Sequence, residues 1–187
     1  MEPLKMKNNL SKITGILLLA GAIILSFSKN VLAENAVFTP NSPSDEQLSN
    51  VVYNCSNIQN QLSKVHSTDA LKRVNLGQSY ETISNDLMAN LNARIALNSL
   101  NGSELVKFAA EFSENIQYFR ENYKIYEQEL KKLKSTDCSK SENAREFYYQ
   151  LEKVRYQRRE LNYNVSVLQG IAEKYKTAIT DFEKGLK

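Results

Sequence analysis

The sequence predicts an all-α protein built as an elongated, antiparallel, three- or four-helix coiled-coil bundle. Beyond residue 43 the chain contains no proline and is rich in residues that favour helices. Apolar residues in that part recur at alternating steps of three and four, which is the spacing of a coiled-coil seam. Short polar segments separate the seams, and short connections make neighbouring helices antiparallel. The expected helical domain covers residues 44–187, after a linker over residues 34–43.

Residues 1–33 have the pattern of a signal peptide. Three lysines precede an uncharged run of 15 residues, Ile13–Phe27, and the segment ends in apolar residues at Ala33. Signal peptidase recognises small residues before the cut, so we expect cleavage between Ala33 and Glu34. The uncharged run is shorter than the roughly 20 apolar residues of a membrane span, and Lys29 interrupts the stretch. An uncleaved membrane anchor is the alternative interpretation.

Removal of this segment would leave an electrically neutral chain. The segment holds four of the 24 basic residues and one of the 21 acidic residues, so 20 of each would remain. Binding to nucleic acid requires a basic face that displaces counterions from phosphates. The composition therefore argues against nucleic-acid binding, and contact with a membrane is expected only through the N-terminal segment.

The two cysteines, Cys55 and Cys138, both lie beyond the expected signal peptide. Exported proteins meet oxidising conditions, and an even number of cysteines there indicates a disulfide. We expect an intramolecular bridge between the two. Free buried thiols and an intermolecular bridge are the alternatives.

The first helix is expected to begin after Ser44, which can form a capping box with Gln47. Its apolar stripe consists of Leu48, Val51, Cys55, Ile58, Leu62 and Val65. Continued further, the stripe would reach Asp69 and Lys72, so we expect a turn or kink at residues 66–69. Either the second helix folds back there or the two run on as one kinked rod, which decides between four helices and three.

The second helix is expected to end at a glycine-containing turn. Its apolar positions are Leu76, Tyr80, Ile83, Leu87, Leu91 and Ile95. Asn101 and Gly102 follow, and both residue types tolerate the left-handed conformation that ends a helix. Ser103 is the expected N-cap of the third helix.

The third and fourth helices have the most regular seams. The third seam is Leu105, Ala109, Phe112, Ile116, Phe119, Tyr123, Tyr126, Leu130 and Leu133. A polar turn over residues 135–139 follows. The fourth seam is Ala144, Phe147, Leu151, Val154, Arg158, Leu161, Val165, Leu168, Ala172, Tyr175, Ile179, Phe182 and Leu186. Arg158 alone interrupts the apolar character of the fourth seam. A bridge to Cys138 in the turn would require the first helix to pack there with a stagger or bend.

Residue types that carry chemistry are sparse. His66 is the chain's one histidine and there are two cysteines, so a zinc site with three or four such ligands is not predicted. The sequence has no glycine-rich phosphate loop and no nucleophile motif. We therefore expect no enzyme activity, no cofactor and no metal, and we interpret His66 as a helix-end or surface residue.

A second stripe lies off the seam of the fourth helix. Tyr149, Tyr156 and Tyr163 are seven residues apart, with Arg155 and Arg159 beside them. Such a stripe can pack against another helix of the bundle, or it can bind a protein partner, because Tyr and Arg are frequent at interface hot spots. These five residues form the candidate interaction surface, which we name the tyrosine face.

Residues 73–98 are rich in Asn and Arg, which are unfavourable in a helix unless their side chains form bonds. We interpret this stretch as a buried polar network, with a recognition surface as the alternative.

The runs Leu71–Glu81 (LKRVNLGQSYE) and Leu91–Asn98, with Leu87-Met88 between them and the two cysteines, resemble a group of proteins. These are uncharacterised secreted helical proteins of candidate-phylum bacteria with reduced genomes. The resemblance covers most of the chain beyond the signal peptide. It implies export and a helical fold, and it implies no activity and no functional residues.

These observations predict an exported, non-enzymatic interaction or structural protein of the cell envelope or the extracellular space. A protein partner or self-association is expected. One alternative is a membrane-anchored coiled-coil protein that keeps its N-terminal helix. A less favoured alternative is a carrier of a small molecule or lipid in a cavity of the bundle, because the seams carry large residues that should fill the core.

Overall fold

The structure, a computed structural model, describes residues 40–186. The expected signal peptide, its cleavage at Ala33 and Glu34, and most of the linker lie outside the described residues.

Regular structure within residues 40–186 is entirely helical, with no strand. The elements are α1 (Asp45–Tyr53), α2 (Cys55–Glu81), a π-helical segment (Thr82–Ala89), α3 (Asn90–Leu97), α4 (Ser103–Ser135) and α5 (Ser141–Gly185). This confirms the all-α prediction. In this described part of the chain, every helix is too short or too polar to span a bilayer.

The predicted capping box starts α1. The Ser44 hydroxyl accepts the Gln47 N–H at 3.2 Å, and the Gln47 side chain accepts the Ser44 N–H at 2.8 Å. Asp45 and Glu46 lie in the first turn, where carboxylates complement the helix dipole. The helix is interrupted at Asn54, directly before Cys55.

The turn predicted at residues 66–69 is wrong, because α2 passes through these residues without interruption. The chain is helical from Asp45 to Leu97 apart from Asn54, so the first two expected helices follow one another and do not fold back. Asp69 is tolerated in the stripe because Tyr126 and Arg158 on other helices bond to it.

The π-helical segment, Thr82–Ala89, changes the register of the buried stripe. Tyr80 and Ile83 are buried three residues apart, and the next buried residue is Met88, five further on. A π-helix bonds i to i+5 and so holds one extra residue in its turn. Leu87, which the sequence placed on the seam, is therefore half-buried, whereas Met88 is 1% exposed.

The turn after α3 contains a residue in the left-handed conformation. Ser99 has a φ of 54°. The N–H groups of Ser99 and of the following residue donate to the carbonyl oxygens of Ala96 and Ile95, at 3.0 and 3.1 Å, which is a Schellman motif. The expectation of a left-handed Asn101 or Gly102 is wrong. Gly102 is needed for space instead, because a Cβ there would lie 2.7 Å from Ile95 Cγ2.

The turn between α4 and α5 is polar, as predicted, with α4 ending at Ser135 and α5 beginning at Ser141. Asp137 Oδ1 accepts the hydroxyl of Ser139 at 2.6 Å and its N–H at 3.0 Å. These two hydrogen bonds lower the pKa of Asp137. The turn is thus ordered by its own side chains.

The seams predicted for α4 and α5 largely face the core. In α4 every seam residue is buried except the half-buried Ala109. In α5 the exceptions are the half-buried Leu151, Ala172 and Phe182 and the exposed Arg158 and Leu186. Period-3.5 patterning therefore identified the buried faces of the two longest helices.

The described chain divides into two compact units. One, which we name the bridged unit, comprises residues 40–75 and 118–163. The other, which we name the groove unit, comprises residues 76–117 and 164–186. Each is described separately below.

In the bridged unit, α2 and α5 both pack antiparallel to α4. The α2 contacts with α4 and the following turn are Cys55–Cys138, Gln59–Thr136, Asp69–Tyr126 and Arg73–Tyr123. The partner number falls as the α2 number rises. The α4–α5 contacts Lys153–Glu129 and Thr136–Gln150 show the same reversal.

In the groove unit, the helices on either side of the Ser99 turn pack antiparallel. Tyr80 meets Phe112 edge to face, with ring centroids 6.0 Å apart, and Asn92 donates to the carbonyl oxygen of Leu105 at 3.4 Å. The core is apolar and aromatic. It includes Ile83, Met88, Leu91, Ile95, Leu105, Phe112, Ile116, Leu168, Ile171, Tyr175 and Ile179.

Candidate functional site

A disulfide links the start of α2 to the turn between α4 and α5. Cys55 and Cys138 are bonded, with Cα atoms 5.4 Å apart, and both are buried. Gln59 Nε2, one turn along α2, donates to the Thr136 carbonyl oxygen at 3.0 Å. The predicted bridge is confirmed, and the interruption at Asn54 lies next to it.

Three helices of the bridged unit meet at a polar triad. Arg158 of α5 makes a two-pronged ion pair with Asp69 of α2, with Nε–Oδ2 at 2.8 Å and Nη2–Oδ1 at 3.0 Å. The Tyr126 hydroxyl of α4 donates to the same Asp69 Oδ2 at 2.6 Å. The Asp69 side chain is 11% exposed. Two-pronged carboxylate pairs are directional as well as strong, so the triad fixes the relative register of the three helices.

The electrostatics of the triad favour a neutral Tyr126 and a charged Arg158. Burial and the hydrogen bond to Asp69 raise the pKa of Tyr126, so the phenol stays neutral and donates. The same carboxylate raises the pKa of Arg158 through a hydrogen bond. Tyr126 is thus a hydrogen-bond donor and Arg158 a cation, and both contact one acceptor, Asp69. This arrangement suits a structural role better than proton transfer.

Two further polar contacts flank the triad. The guanidinium of Arg73 lies 4.8 Å from the centroid of the Tyr123 ring. Lys134 Nζ lies 3.3 Å from His66 Nδ1, and His66 Nε2 lies 4.0 Å from a Glu127 oxygen. His66 lies inside α2 and is half-buried, so its interpretation as a helix-end residue is wrong, whereas part of its side chain is at the surface. No group of three His, Cys, Asp or Glu residues within residues 40–186 is placed to hold a metal ion.

The tyrosine face lies on α5 within the bridged unit. Tyr149 and Tyr156 are half-buried, Tyr163 is 41% exposed, and both arginines are exposed. The guanidinium of Arg159 lies 5.8 Å from the centroid of the Tyr156 ring. Arg155 pairs with Glu152 one turn back. The face therefore presents aromatic and cationic groups to solvent, and its role in binding stays a prediction.

The Asn-rich stretch of the sequence supplies a buried contact in the groove unit. The Tyr175 hydroxyl lies 3.2 Å from Asn92 Oδ1 and 3.3 Å from the carbonyl oxygen of Met88. Burial raises the pKa of Tyr175. Asn90 and Asn98 bond locally, each to the carbonyl oxygen four residues earlier. A buried network thus accounts for Asn92, and helix-surface bonds account for the other two.

A surface groove of about 590 Å³ gives the groove unit its name. Its walls are the first turns of α4 and the C-terminal half of α5. The apolar lining includes Leu105, Phe108, Ala178 and Phe182, and the charged rim is Glu104, Glu173, Lys174 and Asp181. Two of the rim carboxylates pair with neighbouring lysines, at 3.2 and 2.9 Å. These pairs offset part of the negative charge of the rim.

Sequence reasoning missed the triad although its signal was present. Asp69 and Arg158 each interrupt an otherwise apolar seam, and their charges are opposite. Taken alone, each residue indicates only an interruption of its own seam. The pairing is recognised only when the two seams are compared. Opposite charges on the seams of two helices indicate an ion pair between them whenever the helices can align the two residues.

Comparison of the chain with protein-family models, with curated proteins and with solved structures finds no match.

Proposed function

We propose that this protein is an exported, non-enzymatic coiled-coil protein of the cell envelope or extracellular space that binds a protein partner through its tyrosine face. The observation that carries the proposal is the stripe of tyrosines on α5, one of them 41% exposed, flanked by two exposed arginines. Tyrosine offers a large contact area at a small loss of side-chain entropy, and arginine adds directional bonds.

The proposal of export is supported by the disulfide and by the sequence of residues 1–33. Disulfides persist in oxidising compartments and are rare in the cytosol. The intact mass of the protein from its own cells tests this point. A chain that begins at Glu34 supports export with cleavage, and a chain that retains residues 1–33 supports the membrane-anchored alternative. In either form the tyrosine face remains available.

A rigid base favours binding through this face. The helix that carries it is fixed by the Arg158 ion pair with Asp69 and by Lys153, whose ammonium lies 2.7 Å from Glu129. A surface held in its binding conformation loses less entropy on association. The non-enzymatic part of the proposal is supported by the triad, in which Tyr126 and Arg158 both bond to Asp69 and join three helices.

The test is a quantitative affinity capture from envelope extracts. The bait is the full chain, expressed with its own leader and purified as the cell processes it. We compare the wild type with Tyr156→Ser and with a control, Tyr118→Ser, which removes an exposed tyrosine of α4 (47%). We expect one or more proteins to be retained by the wild type and by the control, and to be reduced about tenfold with Tyr156→Ser.

Equal retention by all three baits, or no specific retention by any, would contradict the proposed binding face. Circular dichroism of the three baits checks that the substitutions leave the fold unchanged.

A second candidate function, small-molecule or lipid carriage, is supported by the groove. Its volume of about 590 Å³ lies in the range of small-molecule sites. Native mass spectrometry of protein from its own cells tests this candidate, because a carrier would retain a bound molecule of defined mass.

A further inference from the structure

We propose that the partner bound by the tyrosine face is a second copy of the same chain, packed helix to helix through α5. This inference rests on the proposed function, because it uses the same face. It is carried by the charges that flank the tyrosines, which complement themselves when two copies meet.

The three tyrosines lie on one line along α5. A helix makes two turns in about seven residues, so Tyr149, Tyr156 and Tyr163 project in nearly the same direction and occupy levels about 10.5 Å apart. They are half-buried or exposed. Two such lines facing each other place tyrosines against tyrosines, whose rings attract when they meet edge to face or offset.

Two flanks accompany this line of tyrosines. Relative to a given tyrosine of this line, the residues at positions −3 and +4 lie on one side of the line. The residues at positions −4 and +3 lie on the other side. Relative to the central tyrosine, Glu152 and Arg159 therefore share one flank, and Lys153 and Glu160 share the other. Each flank carries one acid and one base.

In an antiparallel pair, each flank meets the same flank of the second copy. With the two-fold axis beside Tyr156, Glu152 lies within one residue's rise, about 1.5 Å, of the level of Arg159 of the second copy. Lys153 and Glu160 match in the same way. Symmetry repeats both contacts, so four opposite-charge contacts surround the tyrosines.

In a parallel pair, each flank meets the opposite flank of the second copy. Glu152 then faces Lys153 of the second copy, and Arg159 faces Glu160. Opposite charges meet in this alignment too. The charges are thus self-complementary in both directions, which is the requirement for an isologous interface between identical chains.

The local partners of these charges leave them available. Arg155 pairs with Glu152 within one helix turn, and Lys153 pairs with Glu129 at 2.7 Å, with 45% of the lysine side chain exposed. The Lys153 ammonium has three donors and a carboxylate such as Glu152 has about four acceptor positions, so each group can bond a second copy while it keeps its local partner. The Arg159 guanidinium stands over the Tyr156 ring and remains exposed.

The test is sedimentation equilibrium of the full chain, with its disulfide intact, up to high micromolar concentration. We expect a monomer–dimer equilibrium in the wild type. Arg159→Glu and Glu152→Arg should each weaken it at least about tenfold, because each places like charges together twice. Lys124→Glu, at an exposed position of α4, makes the same change in net charge as Arg159→Glu but off the face, and it should leave the dimer unchanged.

Combinations of variants then distinguish the two alignments. In an antiparallel pair, a mixture of the Arg159→Glu and Glu152→Arg chains restores association, since each supplies the charge that the other lacks. In a parallel pair, the double variant Glu152→Lys/Lys153→Glu associates as the wild type does. Restoration by either route supports the proposal.

The proposal is overturned if the wild type stays monomeric at every concentration, or if a dimer forms that Arg159→Glu does not weaken. It is also overturned if neither combination restores association. A monomeric chain that still captures an envelope protein in a Tyr156-dependent way would overturn this inference and leave the proposed function intact.

Discussion

The two units of the molecule fix the register of their helices by different interactions. The bridged unit uses a covalent bond and a directional polar triad that joins α2, α4 and α5. The groove unit relies on apolar packing, and it contains the π-helical segment and the Schellman turn with a left-handed serine. Apolar packing is non-directional, so it accommodates an irregular backbone as long as large side chains still fill the core. Polar pairing requires matched partners and a regular helix.

The largest expected effect is the loss of the disulfide in the bridged unit. The Cys55→Ala/Cys138→Ala variant frees a loop with a sequence separation of 83, and the chain-entropy relation gives a loss of about 4.5 kcal/mol in unfolding free energy. Urea denaturation measures the total. Hydrogen exchange should show lost protection chiefly in residues 55–75 and 118–163. Equal loss in residues 76–117 would contradict the distinction between the units.

Removal of the shared acceptor of the triad should have the next largest effect. Asp69→Ala leaves the Tyr126 hydroxyl and the Arg158 guanidinium without their acceptor, and a loss of about 3 kcal/mol is expected. Asp69→Asn is the control: it keeps a hydrogen-bond acceptor and should retain part of that stability. If alanine and asparagine destabilise equally little in urea melts, the triad does not hold the helices in register.

The π-helical segment gives a test in the groove unit. Deletion of Asn85 shortens the five-residue step between Ile83 and Met88 to the four of a regular helix, so the residues beyond it keep their buried faces. We expect a change of no more than about 1 kcal/mol. Thermal melts measure this.

Deletion of Ser113, in the regular part of α4, provides the contrast. It rotates Ile116 by about 100° and should destabilise the unit severely. Equal destabilisation by the two deletions would show that the π-helical segment does not accommodate an extra residue.

The smallest expected effect is at the turn after α3. Ser99→Gly relieves a left-handed conformation that disfavours side chains with a Cβ, and we expect a gain of about 0.5–1 kcal/mol. Gly102→Ala should do the reverse because its Cβ would meet Ile95. Chemical denaturation of the two variants checks both signs. A loss at Ser99→Gly would show that the serine side chain has a role beyond its backbone conformation.

Much of the fold follows from local sequence rules, and the exceptions have physical causes. The capping box of Ser44 and Gln47 predicted the start of α1, and the apolar spacing of 3.5 residues predicted the buried faces of α4 and α5. The break at residues 66–69 was expected because Asp69 is a poor core residue, and it fails because Tyr126 and Arg158 supply partners from far along the chain. A single-helix pattern contains no information about such partners.

The register beyond Ile83 was missed for a different reason. Apolar steps of three and four predict that Leu87 is the next buried residue after Ile83. The π-helical segment holds one extra residue, so Met88 is buried instead. Among the candidate site residues, the cysteine pair was predictable from the expected export and from the even number of cysteines. The stripe of Tyr149, Tyr156 and Tyr163 was predictable from its spacing. The charges that flank it indicate a contact only when they are aligned with those of a second helix.

The most direct test of the central claim, that the tyrosine face of α5 is a binding surface, is a photo-cross-link in the cell that makes the protein. A photoreactive phenylalanine derivative replaces Tyr156 in one strain and Tyr118 in a control strain, each chain carrying its own leader. The account predicts a discrete cross-linked product from position 156, at the mass of a second copy or of another protein, and none from position 118. No product from position 156, or the same product from both positions, would contradict it.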